Sequence, residues 1–214
     1  MIHAIWLLTH NCKKGKHPMD YQFPYINTID DVLPAVHDRT EFVIADRGTH
    51  TIINYNVETP GMFDLGDGGV LRRESRGIIF DNHTGKILRR PLHKFANINQ
   101  WAETQQHLLD FSSPHVIMLK EDGSMMSPFF VGTDLVWGTK MGATEVAELA
   151  VKYVQDNQHY EDFAVWCIRN DLTPIFEYVG PDNKIVLDYS EKSLILLAIR
   201  HMHSGAYVDL HKIT

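Results

Sequence analysis

The sequence predicts an α+β fold, and three observations lead to that prediction. Strand-like runs rich in β-branched and aromatic residues come in pairs, as in residues 41–45 and 51–55, which a turn at 46–48 separates. Amphipathic helical periodicity is limited to two segments. Strands and helices do not alternate in the order that builds βαβ units. Antiparallel sheets flanked by a few helices are therefore expected.

Two further hairpins are predicted. The first joins residues 76–81 (RGIIFD) to 86–90 (KILRR) through the turn Asn82-His-Thr-Gly85. The second joins residues 115–119 to 127–131 through the turn Glu121-Asp-Gly-Ser124. Residues 62–69 (MFDLGDGG) are rich in glycine and aspartate, and we expect a loop there.

The helices are predicted in the second half of the chain. Thr144 is a good N-cap, Glu145 follows it in the first turn, and apolar residues then recur at helical spacing to Val154. A second helix is predicted over residues 191–201, where three apolar side chains share one face. Between the helices, residues 164–168 and 174–179 are expected to be strands. Cys167 would then be an inert core residue.

Length and composition indicate one folded domain over residues 1–214, since 44% of the residues are hydrophobic and 22% are charged. Cys12 and Cys167 are too few for a disulfide framework. The apolar run at the start has its charges after it, which is the wrong order for a signal peptide. A cytoplasmic location is expected, in the host cytoplasm if the chain is phage-encoded.

The charge distribution is uneven. The chain carries −7 overall, which excludes a general basic coat for nucleic acid. Residues 71–96 nevertheless hold seven basic and two acidic side chains, a local charge of +5. The basic residues of this stretch are Arg72, Arg73, Arg76, Lys86, Arg89, Arg90 and Lys94. Two interpretations are open, a phosphate site or a solvated hairpin face.

Among motifs with a chemical rationale, the turn 120–124 (KEDGS) is the most informative. Neither a GxxxxGK[ST] loop nor a dinucleotide fingerprint is present, and His201, His203 and His211 match no metal-ligand spacing. Lys120 ends an apolar run and is expected to leave a partly desolvated wall. Desolvation favours neutral lysine, which is the nucleophilic form.

Four other blocks surround this turn in a fixed order. RGIIFD and RPLHKFANIN precede it, and WGTKMG and IFEYVGPDNKIVLDYSE follow it. This series resembles the ATP-dependent RNA ligase 1 family of the T-even phage type, a branch of the covalent nucleotidyltransferases. The resemblance runs from about Tyr55 to the C-terminus. It implies a nucleotidyltransferase (adenylation) domain of antiparallel sheets flanked by helices.

The resemblance also implies roles for six residues. Lys120 would attack the α-phosphorus of ATP and hold AMP as a phosphoramidate. Lys140 matches an essential lysine of the strand after the nucleophile. The cofactor-binding set comprises an aromatic of the nucleotide pocket, an arginine on the nucleotide, a lysine on the phosphates and an acid near the ribose: Tyr55, Arg76, Lys94 and Glu177. No metal ligand is assigned, and Mg²⁺ (or Mn²⁺) is expected to bind mainly through phosphate oxygens and water.

One departure from the family pattern concerns the C-terminus. The family continues to an EG motif and a KxK motif, and this sequence stops at Thr214 before either. The adenylation domain is therefore expected to be incomplete and to self-adenylylate poorly or not at all. A C-terminal segment or subunit carrying these motifs is a possible partner.

The expected function is ATP-dependent ligation of RNA 5′-phosphate and 3′-OH ends through a lysyl-AMP intermediate. The partners would be RNA ends, of tRNA or other single-stranded RNA, in RNA repair. The alternative is a non-catalytic remnant or split subunit that binds a nucleotide or an RNA end. A capping-type guanylyltransferase fits less well, because the RP…KF and EYVGP blocks match it poorly.

Overall fold

The structure, a computed structural model, describes residues 22–112 and 115–210 together with the backbone of residues 5–6. The chain divides into two compact units. The smaller unit comprises Met1–Gln22 and Phe95–Glu121, and the larger comprises Phe23–Lys94 and Asp122–Thr214. A single domain over residues 1–214 stays a prediction.

The smaller unit contains a two-stranded antiparallel sheet. Strand β1 (Ile5–Trp6) pairs with β6 (Val116–Ile117), so that Ile5 lies opposite Ile117. Two single turns of 3₁₀ helix, Ala102–Thr104 and Gln106–Leu108, precede β6. The predicted pairing of residues 115–119 with 127–131 is wrong, because β6 has its partner near the N-terminus of the chain instead.

The first sheet of the larger unit follows chain order. Its four antiparallel strands are β2 (Phe42–Asp46), β3 (His50–Tyr55), β4 (Ile78–Asp81) and β5 (Ile87–Arg89). The predicted hairpins over residues 41–55 and 76–90 are confirmed here. Their turns are fixed by aspartates: the Gly48 N–H donates to Asp46 Oδ1 (2.7 Å) and the Thr84 N–H to Asp81 Oδ1 (2.7 Å).

The second sheet of the larger unit is also antiparallel, and its order is β10-β9-β7-β8. The strands are β7 (Ser124–Val131), β8 (Asp134–Gly138), β9 (Leu172–Val179) and β10 (Ser193–His201). The helices are α1 (Leu33–Val36), α2 (Gly69–Glu74), α3 (Glu145–Gln155) and α4 (His159–Arg169), with a 3₁₀ turn at Ile29–Asp31. These elements confirm the α+β class. None of the described helices is long and apolar enough to span a membrane.

Helix α3 begins as predicted, because the Thr144 hydroxyl accepts a hydrogen bond from the Ala147 N–H (3.3 Å). Two other predictions are wrong. Residues 191–201 contain strand β10, since this Leu- and Ile-rich run pairs along β9. Residues 164–168 lie in α4, where Ala164 and Cys167 are three positions apart on one buried face.

Cys167 is a free thiol inside this packing. Its exposed fraction is 0%, and burial raises the pKa of the thiol to about 12. It contacts the core formed with Leu172 and Ile199. The predicted role as an inert core residue is confirmed, although the residue lies in a helix and not in a strand.

Arg89 connects the two sheets of the larger unit. Its guanidinium is fully buried, lies 5.2 Å from the Phe129 ring centroid, and donates to four backbone carbonyls. The acceptors belong to Gly77, Ser127, Gly138 and Thr139. Burial lowers the pKa of Arg89 to about 9. This side chain fixes residues 77 and 139 relative to each other.

A second group of buried charges surrounds Glu74, the last residue of α2. Glu74 accepts hydrogen bonds from Arg90 (2.9 Å) and, through both carboxylate oxygens, from Arg200 (3.0 Å each). Burial alone would raise the pKa of Glu74, but Arg200 and Arg90 outweigh it and lower the pKa to about 2. The carboxylate is thus ionised and holds α2 against β5 and β10.

These contacts correct both interpretations for four of the seven basic side chains of the stretch. Arg72, Arg73, Arg89 and Arg90 are buried, with exposed fractions of 6%, 5%, 0% and 0%. They form neither a solvated face nor a phosphate surface. The stretch is basic largely because four arginines hydrogen-bond carbonyls and a carboxylate inside the larger unit.

Candidate functional site

Five of the six predicted site residues lie in the larger unit. They are Tyr55, Arg76, Lys94, Lys140 and Glu177. The sixth, Lys120, belongs to the smaller unit next to its end at Glu121. The Lys120 side chain is exposed, so the predicted partial desolvation of this lysine is wrong.

Two lysines and two aromatic rings form a continuous row. The Lys140 ammonium lies 5.7 Å from the Tyr55 ring centroid, and Tyr55 meets Phe63 edge to face at 5.4 Å. The Lys94 ammonium lies 6.0 Å from the Phe63 centroid. Both lysines are within the range of cation–π attraction. We call these four residues, together with Arg76, the cation–aromatic cluster.

Backbone packing explains why Arg76 and Lys140 meet. Gly77 has a φ of +87°, and a Cβ there would lie 2.6 Å from the Lys140 carbonyl oxygen. Only glycine allows these two backbone segments to approach so closely. The RGIIFD and WGTKMG blocks are therefore in direct contact, and Arg76 immediately precedes this contact.

Helix α2 holds the other side of the cluster. The Lys94 N–H donates to the Arg73 carbonyl (2.7 Å), and the Arg73 Nε donates to the Phe63 carbonyl (2.6 Å). The same helix is held in place by its last residue, Glu74, which binds Arg90 and Arg200. Lys94 and Phe63 are thus placed by one rigid element, even though 31 positions separate them in the sequence.

Glu177 is connected to Arg76 through a methionine. The Arg76 Nη1 lies 3.6 Å from Met125 Sδ, and Met125 is opposite Glu177 across β7 and β9. The Glu177 Oε1 accepts a hydrogen bond from the Gly123 N–H (3.1 Å). The half-buried carboxylate is therefore held by the glycine of KEDGS.

The aspartate and glycine of KEDGS have structural roles in the larger unit. Asp122 Oδ2 accepts hydrogen bonds from the N–H groups of Val186 (2.7 Å) and Leu187 (2.6 Å). A Cβ at Gly123 would lie 2.2 Å from the Tyr178 carbonyl oxygen. This part of the motif is therefore dictated by close packing against the end of β9 and by hydrogen bonds to the segment that follows it.

Repulsion between the cations of the cluster favours the binding of an anion. Partial burial, and then the charges of Arg76 and Lys94, lower the pKa of Lys140. Three cations that affect one another gain stability when a negative group binds between them. Within residues 22–112 and 115–210, no three His, Cys, Asp or Glu side chains are grouped to hold a metal ion.

Sequence reasoning missed three residues of this site. Phe63 lies in the segment predicted to be a loop, and it is 2% exposed. Glu58 contacts Lys94, with 3.0 Å between Oε2 and Nζ, and Met125 contacts Arg76. None belongs to a recognisable motif. Their only signal is proximity in three dimensions.

A family model described as RNA ligase, of the T4 RNA ligase 1 type, matches residues 74–213. The chain belongs to this RNA ligase family. The predicted family is thus confirmed. The matched region includes Arg76, Lys94, Lys120, Lys140 and Glu177, and Tyr55 precedes it.

Two relatives agree with this assignment. A protein of Thermovibrio ammonificans named "Putative RNA ligase" is 28% identical over 182 residues, and RNA ligase 1 of Bacteriophage TS2126 is 24% identical over 189 residues. Each match covers 85% of this chain and 47% of the relative. The chain therefore spans about half the length of these relatives.

Proposed function

We propose that the chain is the nucleotide-binding part of an ATP-dependent RNA ligase. The enzyme would join RNA 5′-phosphate and 3′-OH ends through an AMP bound covalently to Lys120. The observation that carries this proposal is the cation–aromatic cluster, which unites Arg76, Lys94 and Lys140 in a chain of the RNA ligase family.

The cluster suits ATP in charge and shape. Phosphoryl transfer depends on cations that surround the phosphates and align the reacting atoms. Arg76, Lys94 and Lys140 provide these cations. The Tyr55 ring contacts the Lys140 ammonium and would offer an aromatic surface to the nucleotide. Glu177, already oriented by Gly123, offers an oxygen that can accept a ribose hydroxyl.

The proposed reaction has three steps. Neutral Lys120 Nζ attacks the α-phosphorus, an N–P bond forms, the bond to the β-phosphate oxygen breaks, and pyrophosphate leaves. Lys120 Nζ releases its proton to water. The RNA 5′-phosphate oxygen next attacks the same phosphorus, the N–P bond breaks, and Lys120 Nζ leaves as an amine that takes up a proton from water. Finally, the RNA 3′-OH attacks the 5′-phosphorus, AMP leaves, and the hydroxyl proton passes to solvent.

A divalent cation, Mg²⁺ or Mn²⁺, would neutralise phosphate charge when bound. The residues of the cluster fit such an ion only indirectly, since they are mostly cationic. Its ligands would be mainly phosphate oxygens and water, which is the usual arrangement for Mg²⁺ bound with a nucleotide. Glu177 is the carboxylate of the predicted site that could take part.

The proposed partners are RNA ends, of tRNA or other single-stranded RNA, and the proposed role is RNA repair. The family assignment supports an RNA substrate, since the matched family and both relatives carry RNA ligase in their names. A nucleotide- or RNA-end-binding subunit without turnover is the other candidate, and it would keep the cluster while failing to form lysyl-AMP.

The covalent step is tested by incubating the chain with Mg²⁺ and ATP labelled at the α-phosphate, followed by intact mass measurement over hours. We expect a slow accumulation of AMP on the wild type and on K152A, a control at an exposed lysine of α3, and none on K120A. K120R is also expected to fail, because a guanidinium stays protonated. A label that persists in K120A would contradict the role of Lys120.

A further inference from the structure

The carboxylate of Glu58 lies against the cation–aromatic cluster, although it belongs to none of the family blocks. Its Oε2 is 3.0 Å from Lys94 Nζ. The exposed fraction of the side chain is 30% for Glu58 and 15% for Lys94. The pair is thus half-shielded from water, where an ion pair is stronger than on an open surface.

The segment that carries Glu58 is fixed independently of Lys94. The Thr59 hydroxyl donates to Glu41 Oε1 (2.9 Å), and the Asn56 N–H donates to the Glu41 carbonyl (2.8 Å). The Thr59 N–H lies 3.1 Å from Met62 Sδ. The carboxylate therefore extends from an anchored segment.

The position of Lys94 is fixed as well. Its N–H donates to the Arg73 carbonyl, and its ammonium lies over the Phe63 ring. Since both backbones are held, the contact between the two charges follows from the fold and does not depend on a chance meeting of two mobile side chains.

We infer that Glu58 is an internal counterion, which holds Lys94 while the site lacks nucleotide and yields it when a triphosphate binds. This inference rests on the proposed function. A phosphate oxygen and a carboxylate oxygen accept the same ammonium N–H donors. The triphosphate must therefore displace Glu58 or bind beside a like charge.

Glu58 thus lowers the affinity for a triphosphate and is an affinity-determining residue of the site. Its effect should depend on ligand charge. An uncharged nucleoside does not compete for Lys94, so Glu58 should leave adenosine binding unchanged. The effect should also pass through Lys94 and disappear when that lysine is replaced.

The test is equilibrium binding of α,β-methylene-ATP with Mg²⁺, an analogue that Lys120 cannot cleave at the α–β bridge. E58Q keeps the size of the side chain and removes its charge. Partly exposed ion pairs contribute up to about 1 kcal/mol, so E58Q should bind the analogue about two- to fivefold more tightly. D38N, which removes a charge at a 98% exposed side chain, is the matched control and should not change binding.

A double-mutant cycle gives the sharper readout. K94Q should weaken binding, and adding E58Q to K94Q should produce no further gain. Adenosine binding should be the same in E58Q and wild type. Unchanged or weaker binding of the analogue by E58Q, with binding by the wild type intact, would overturn the inference. No binding by the wild type would contradict the proposed function, and this inference with it.

Discussion

Two fully buried arginines of the larger unit and two cations of the cluster come from the same stretch of sequence, residues 71–96, yet their surroundings differ. Arg89 and Arg90 are fully buried and donate to carbonyls and to Glu74. Arg76 and Lys94 are only partly buried and contact a sulfur, a ring face and a partly exposed carboxylate. Charge density alone does not separate these two groups.

The two groups differ in the free-energy cost of separating the cation from its partner. A buried backbone carbonyl that loses its donor becomes unsatisfied, at a cost of about 1–3 kcal/mol. A ring face or a thioether competes weakly with a phosphate. The buried arginines are therefore expected to determine stability, and the cluster cations are expected to determine nucleotide binding.

The largest effect is expected from Glu74→Leu. Removing the carboxylate leaves Arg90 and Arg200 buried without their counterion, which costs about 3–5 kcal/mol of unfolding free energy. Urea unfolding followed by circular dichroism measures it. E148Q, at an exposed position of α3, should change stability by about 0.5 kcal/mol or less. A loss below about 1 kcal/mol for Glu74→Leu would remove the distinction.

Arg89→Met should have the next largest effect on the unfolding free energy. The methionine fills part of the space but leaves the carbonyls of Gly77, Ser127, Gly138 and Thr139 without this donor. We expect a loss of about 3 kcal/mol in the same assay. R169M, at the exposed end of α4, is the control. Equal stability of the two variants would show that Arg89 does not connect the sheets.

Arg76→Ala and Lys94→Ala should weaken nucleotide binding and leave the stability nearly unchanged. Each removes a charge-assisted contact with phosphate, worth about 1.5–3 kcal/mol, and should weaken α,β-methylene-ATP binding about tenfold or more. Stability should change by about 1 kcal/mol or less. Titration of the analogue by calorimetry measures the loss. Normal binding by both variants, with a wild type that binds well, would mean that the cluster is not the nucleotide site.

The smallest effect concerns pH. Burial, and then the charge of Arg200, lower the pKa of His93 to about 3 from 6.5. Protonation therefore favours the unfolded chain, so the stability contributed by neutral His93 is complete above pH 6.5 and declines as the pH falls toward 3. H93Q should flatten the change in unfolding free energy between pH 7 and 5 by about 2 kcal/mol. H83Q, in an exposed turn, should not.

Much of the fold was predictable where local signals agreed. The 42–55 and 78–89 hairpins have aspartate- and glycine-containing turns, and Thr144 caps α3. Residues 164–168 and 193–201 were predicted wrongly, since a short apolar run suits either a helix or a strand. Long-range pairing with β9 decides the latter.

The site was predictable only in part, for a similar reason. The motif blocks indicated Arg76, Lys94 and Lys140, whose neighbourhood the fold then supports. Phe63 and Glu58 join them through contacts across 31 and 36 positions of sequence. The burial of Arg90 likewise depends on carbonyls from distant parts of the chain, those of Met202, His203 and Pro24.

The most direct test of the central claim is a crystal structure of the chain with α,β-methylene-ATP and Mg²⁺, grown at a concentration that saturates binding in solution. We predict phosphate oxygens within hydrogen-bonding distance of Arg76, Lys94 and Lys140, with the nucleotide next to Tyr55. A nucleotide bound elsewhere, with these side chains unchanged, would contradict the assignment of the cation–aromatic cluster as the ATP site.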